Sequence, residues 1–141
     1  MSAISEFKTQ TNFKTSLSDG GYSGITSRVG VNSNPVGKFA ILYMGTNGYE
    51  PANATSDTKT PGTVLALESG AGSEILVLKN GFVRNSSWSF TKGSPVYLST
   101  TDGTLTQTQP SATDNVVQYV GEAYDTDILD FKPDSTVITL A

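Results

Sequence analysis

The chain contains no cysteine and no histidine. Without cysteine there is no disulfide framework, thiol nucleophile or zinc–thiolate site, and the chain is indifferent to the redox state of its compartment. Without histidine, Ser-His-Asp and Cys-His pairs, His-liganded metals and the usual general base near neutral pH are all excluded. Only carboxylates, lysine and tyrosine remain for acid–base work. Charge is also scarce, at 16% of residues, and the apolar fraction is 36%. Ser, Thr, Asn, Gln and Gly fill the difference, which separates this polar chain from the highly charged composition of disordered ones. No apolar run approaches the ~20 residues that a membrane helix needs. The opening "MSAISEFKTQTNFK" lacks the basic and apolar regions of a signal peptide, so none is expected.

What is present suits one domain. A chain of 141 residues buries roughly 68–70% of its unfolded surface and folds without staples. The net charge of -4 is unevenly placed. Residues 1–35 carry Lys8, Lys14 and Arg28 against Glu6 and Asp19, whereas from Asp102 onward seven acids face Lys132 alone. Such an acidic body repels phosphate backbones, so nucleic acid is not an expected partner.

Residues 1–35 space their bulky side chains widely, and Gly20, Gly21, Gly24 and Gly30 interrupt any regular element. They read as an extended N-terminal arm with isolated anchors, against the alternative of a loose terminus. Residues 36–141 read as the folded domain. Phe39 to Met44 is a strand apolar on both faces. Asn47-Gly48 marks a turn, and Pro51 and Pro61 bracket a long polar loop in which Glu50–Thr58 could form a short helix. "TVLALES" is a strand, Gly70–Glu74 a turn, and Ile75 to Leu78 a strand that Asn80-Gly81 folds back as a type I′ hairpin through Phe82-Val83-Arg84. Strand-like runs then recur every 8–12 residues or so, with a turn between each. This predicts an all-β fold, a small antiparallel β-sandwich or barrel.

Few motifs carry chemistry. "DTDILDFKPD" places Asp125, Asp127 and Asp130 close in sequence, but an EF-hand loop needs an acid or amide at position 5, Gly at 6 and Glu at 12. Here those positions hold Leu129, Asp130 and Thr136. The stretch reads instead as a solvated edge strand whose charges discourage pairing. Glu50, Glu68, Glu74 and Glu122 are too scattered to suggest a glycosidase pair. "GAGSE" lacks the Lys of a P-loop and the third Gly and helix of a dinucleotide site. Trp88 and Phe90, two apart, share a face that reads as core packing, with a sugar-stacking or subunit contact as the alternative. No catalytic residue, cofactor or metal is expected. In the strand from Pro95, Thr101-Asp102-Gly103 closes a hairpin, and Gly121 marks a bulge or a close backbone approach.

One stretch carries a resemblance. Its landmarks are "PGTVLALESGAGSEILVLKNGFVR", "WSFTKGSPVYLSTTDGTLTQTQPS" and "VVQYVGEAYDTDILDFKP", spanning Pro61 to Ala141. They resemble the head decoration (capsid cement) proteins of tailed bacteriophages and related virion-surface domains. Trp88, Gly93, Tyr97, Gly103, Pro110, Gly121 and Pro133 are the matching positions. The resemblance implies a non-enzymatic structural protein on the virion capsid surface, bound to the major capsid protein and to copies of itself, as a homotrimer rather than a dimer. Phe7, Phe13, Leu17 and Tyr22 are the expected capsid or subunit contacts of the arm. The alternative is a tail-fibre or head-fibre module that binds a host-surface glycan, with Trp88 and surface tyrosines in a shallow groove.

Overall fold

The computed structural model describes residues 13–141. Its strands run β1 (Tyr22–Gly30), β2 (Ile41–Gly45), β3 (Gly48–Pro51), β4 (Val64–Ala66), β5 (Glu74–Arg84), β6 (Pro95–Leu98), β7 (Leu105–Thr106), β8 (Val116–Val117), β9 (Tyr119–Asp125), β10 (Ile128–Phe131) and β11 (Ile138–Thr139). The fold is all-β, as expected. The one helical piece among the described residues is a single 3-10 turn, Asp57–Lys59, whose first turn is capped by the Ser56 hydroxyl. The longer helix option in Glu50–Thr58 is not realised, because β3 takes its first residues.

The main sheet has nine strands, ordered β3-β2-β4-β5-β10-β9-β6-β7, with β1 along the other edge of β5. It curls into an open half-barrel. Its pairings are antiparallel, apart from an isolated parallel bridge between Val31 and Tyr49 that joins the end of β1 to β3. β8 and β11 form a small second sheet.

Alternation of side chains accounts for the packing. Along β2, β4 and β5, Ile41, Leu65 and Leu78 point into one apolar cluster, and Leu42, Val64, Ala66, Ile75 and Val77 into a second. Successive residues on a strand face opposite ways, so a strand buried on both faces must be apolar throughout. The first cluster continues through Val96, Leu98, Val120, Leu129 and Phe131 under β6, β9 and β10. The second is closed by Val31 and Val36 under β1.

Three expectations change. Residues 22–31, read as the latter half of the arm, belong to the sheet: β1 pairs with β5 from Tyr22↔Val83 to Gly30↔Glu74. Gly24 does not break it, because it lies opposite Gly81. Asn80-Gly81 is not a hairpin, and β5 runs straight through it. Gly81 takes a φ of 138° there, and a Cβ on Gly24 would overlap the Asn80 carbonyl oxygen. The pair of glycines therefore serves a close backbone crossing, at a bulge where the register shifts between Ile25 and Thr26. Finally, "DILDF" is no edge. β10 lies between β5 and β9, and Leu129 and Phe131 are fully buried.

Other readings hold. Gly103 has a φ of 67° and sits in the turn between the paired strands β6 and β7. Gly121 makes the expected close approach, since a Cβ there would overlap the Asp130 carbonyl oxygen.

Candidate functional site

An open groove of about 630 Å³ lies where 35–40 before β2, 85–88 after β5 and 102–105 in the turn into β7 meet the end of β3 at Pro51. Its size falls in the range of about 300–1,000 Å³ usual for small-molecule sites. Phe39, Trp88 and Leu105 give it an apolar side, and Lys38, Asn85 and Asp102 border it.

Each side chain is held by local backbone. Phe39 has a φ of 74°, a conformation that costs a residue with a Cβ on the order of 1–3 kcal/mol. Its N–H donates to the Ala66 carbonyl at 2.7 Å, and Ala66 N–H returns to Ala40 at 2.8 Å. The Phe39 ring packs partly against the core and meets Trp88 edge-on at 5.6 Å. The Lys38 ammonium lies 5.1 Å from the Phe39 ring centre, near enough for a cation–π contact. Asn85 builds the turn that presents Trp88: its side-chain oxygen accepts the Ser87 N–H at 3.0 Å, and its carbonyl accepts the Trp88 N–H at 3.0 Å. Phe90 backs Trp88 at 5.1 Å.

Asp102 stands in a tight turn. Gly103 N–H donates to Ala52, and the Gly103 carbonyl accepts from Ile41, which fastens the turn to β2. Asn53 Nδ2 donates to Asp102 Oδ1 at 2.7 Å. Burial pushes the nearby Tyr43 phenol up from its ordinary pKa, and the charges of Glu50 and Asp102 add to the effect.

A second feature is the clip that fastens the arm. The chain doubles back at Ser18–Gly21, where Gly21 N–H donates to Ser18. Arg84 then joins three segments: Nη1 donates to the Leu17 carbonyl at 2.9 Å, and Nε pairs with Asp127 at 2.9 Å. Asp19 accepts the Ser86 N–H and hydroxyl, both at 2.9 Å. The Ser86 N–H, then its hydroxyl and the Arg84 charge, hold the Asp19 carboxyl below its usual pKa, against a smaller opposing desolvation. Lys14 N–H reaches the Ser23 hydroxyl at 2.7 Å, so this part of the arm lies beside β1.

Of the expected contact residues, Phe7 lies outside the described residues. Phe13 and Leu17 are half-buried, and Tyr22 is 43% exposed at the start of β1. The clip brings Leu17 and Tyr22 to the same edge through Arg84 and its neighbour Val83.

The acidic stretch does not converge. Asp127 pairs with Arg84, and Asp130 with Lys132 at 3.4 Å. Partial desolvation disfavours the Lys132 ammonium, but Asp130, Tyr119 and Glu122 outweigh it and raise the Lys132 pKa. Among the described residues no group of three or more acids gathers to hold a metal. Glu68 is taken up by Arg28 at 3.4 Å.

Trp88 and Phe90 pack against the core cluster, as their spacing in the sequence predicts, and Trp88 also lines the groove; its groove neighbours Phe39, Asn85 and Asp102 are not legible in the sequence. They are far apart in the chain and meet only through the sheet. Thr101-Asp102-Gly103 was legible only as a turn. Comparison of the chain with protein-family models, curated proteins and solved structures returned no match.

Proposed function

We propose that this protein is a non-enzymatic structural component of a phage virion, which binds the outer surface of the capsid and reinforces it. The observation that carries the reading is the open edge of β1, which pairs with β5 on one side only and shows apolar side chains on both its faces. Tyr22 and Ile25 remain 43% and 54% exposed there, at the edge where the clip holds Leu17. Solvent-exposed apolar side chains in an edge strand favour association. The resemblance over Pro61 to Ala141 agrees with this reading, as does a polar chain that lacks thiol and imidazole.

The mechanism is physical. A protein that bridges capsid subunits in the closed shell, and not in the open one, stabilises the closed shell by mass action. Repetition over many equivalent sites multiplies modest contacts. The test is co-sedimentation with expanded, decoration-free capsids. Binding and a higher rupture temperature are expected, and a chain lacking residues 1–21, or carrying Ile25→Lys, should bind at least tenfold more weakly while keeping its β-sheet circular dichroism. Failure of the intact chain to co-sediment would sink the reading.

One observation favours the second reading, a fibre module that binds a host-surface glycan: Trp88 lines the groove together with hydrogen-bonding side chains.

A further inference from the structure

We infer that the Phe39–Trp88–Asp102 groove is a binding site for a neutral pyranose sugar. The inference deepens the glycan reading and does not depend on capsid binding.

A pyranose has two chemical faces. Its C–H groups form an apolar patch that lies against an aromatic ring, and its hydroxyls point outward in the ring plane. The groove offers a complement to both. Trp88, with Phe39 edge-on against it and Phe90 behind it, is braced rather than free to rotate. Asp102, Asn85 and Lys38, which carry a carboxylate, an amide and an ammonium, line the same groove. Asn53 holds one oxygen of Asp102 at 2.7 Å, which orients the carboxylate, and among the described residues its second oxygen has no hydrogen-bond partner. A carboxylate that accepts hydroxyl hydrogens makes short, charge-assisted bonds.

The charges decide the class of sugar. One carboxylate and one ammonium border the groove, so it holds no excess of either sign. An anionic sugar or a phosphate would meet Asp102, and a cationic one Lys38. A neutral ring satisfies both as acceptor and donor. An apolar peptide side chain would fit the Trp88 wall but would strip water from Asp102 and Lys38 without replacing it, at a cost. The groove is also preformed. Phe39 is pinned to Ala66 and the Asp102 turn to β2 and Ala52, so little ordering is lost on binding. The non-glycine positive φ at Phe39 is the kind of local strain that collects at ligand sites.

Trp88 is the only tryptophan in the chain, so its signals are free of any other indole. The experiment titrates the full chain with methyl glucopyranoside, methyl galactopyranoside and N-acetylglucosamine, and with maltotriose and chitotriose. Trp88 fluorescence and the Trp88 indole N–H resonance are both followed. A saturable change with at least one of these sugars, in the millimolar range expected of an open site, is the result that supports the inference. Tighter binding of the trisaccharide points to a surface glycan as the source, and equal binding to a free sugar. Asp102→Ala should weaken binding at least tenfold with an unchanged melting temperature. If neither Trp88 signal moves with any sugar, or if Asp102→Ala leaves the affinity unchanged, the inference is overturned. Capsids that shift Trp88 where no sugar does would overturn it too, and mark the groove as a protein contact. The intact chain is applied in parallel to a glycan array. Array binding with a silent Trp88 keeps the glycan reading and removes this site. A Trp88 response without array binding keeps the site and removes host glycan as its purpose.

Discussion

At the residue scale, Gln118 shows what a polar side chain does in a core of this composition. It is fully buried in the step between β8 and β9, and every polar atom of its amide is used. Oε1 accepts the Gly62 N–H at 2.8 Å, and Nε2 donates to the carbonyls of Gly62 at 2.7 Å and Asp134 at 2.8 Å. It thereby ties the long loop before β4 to the segment after β10, where no strand pairing does so. Gln118→Leu keeps the volume but orphans the Gly62 amide and carbonyl, which should cost about 2–3 kcal/mol. Urea unfolding would measure it, and a loss under 0.5 kcal/mol would mean that water replaces the clamp. Nothing in "VVQYVGEAY" announced this role, because the sequence pattern shows only that Gln118 interrupts an apolar run. Its partners are 56 residues away in one direction and 16 in the other. Glycines were more legible. Gly103 and Gly121 act locally, through a turn and a close approach, so their neighbours in the chain carried the information. Phe39 was not legible, since an aromatic residue in an apolar run reads as strand and its positive φ is imposed by bonding to β4.

At the element scale, Asp19 is one of two carboxylates in the arm's clip, beside Asp127. Asp19 has its pKa lowered in the fold by the Ser86 N–H, the Ser86 hydroxyl and Arg84. A depressed folded pKa means that the contribution is fully present above the ordinary carboxylate value of about 3.9 and is lost as pH falls through the lower, folded value. The Ser86 amide resonance should therefore titrate with a midpoint below that of a free aspartate, and Asp19→Asn should abolish the step. A midpoint at or above the free value would mean that the clip does not form in solution. The same clip explains why the boundary between arm and domain was misplaced in the sequence. Glycines at 20, 21, 24 and 30 looked like breaks, yet Gly24 is what lets β1 lie against Gly81 of β5. The Asn80-Gly81 pair misled for the same reason. Its dipeptide signal is that of a two-residue hairpin, but β1, β4 and β10 all claim β5 and keep it extended. The alternating runs from Pro95 onward, by contrast, were read as strands because their pairing partners are nearby in the chain.

At the scale of the whole molecule, β5 belongs to both apolar clusters. Ile75 and Val77 enter one, and Leu78 and Val83 the other. Neither cluster can lose its packing while β5 keeps its place in the sheet, so the two halves should unfold as one unit despite their separate cores. Ile75→Ala removes apolar volume from the cluster under β1, and Leu129→Ala from the cluster under β6, β9 and β10. Both sites are buried, at 1% and 0% exposure, and each substitution should cost about 2–5 kcal/mol. Trp88 fluorescence reads only the Leu129 side, since Trp88 packs against that cluster, whereas far-UV circular dichroism reads the whole sheet. If β5 couples the clusters, Ile75→Ala must shift the Trp88 transition as far as it shifts the dichroism, although residue 75 contributes to the other cluster. Coincident curves for both variants are expected. A dichroism transition that precedes the Trp88 transition in Ile75→Ala would instead make the β1 side an independent unit, able to open while the groove stays intact.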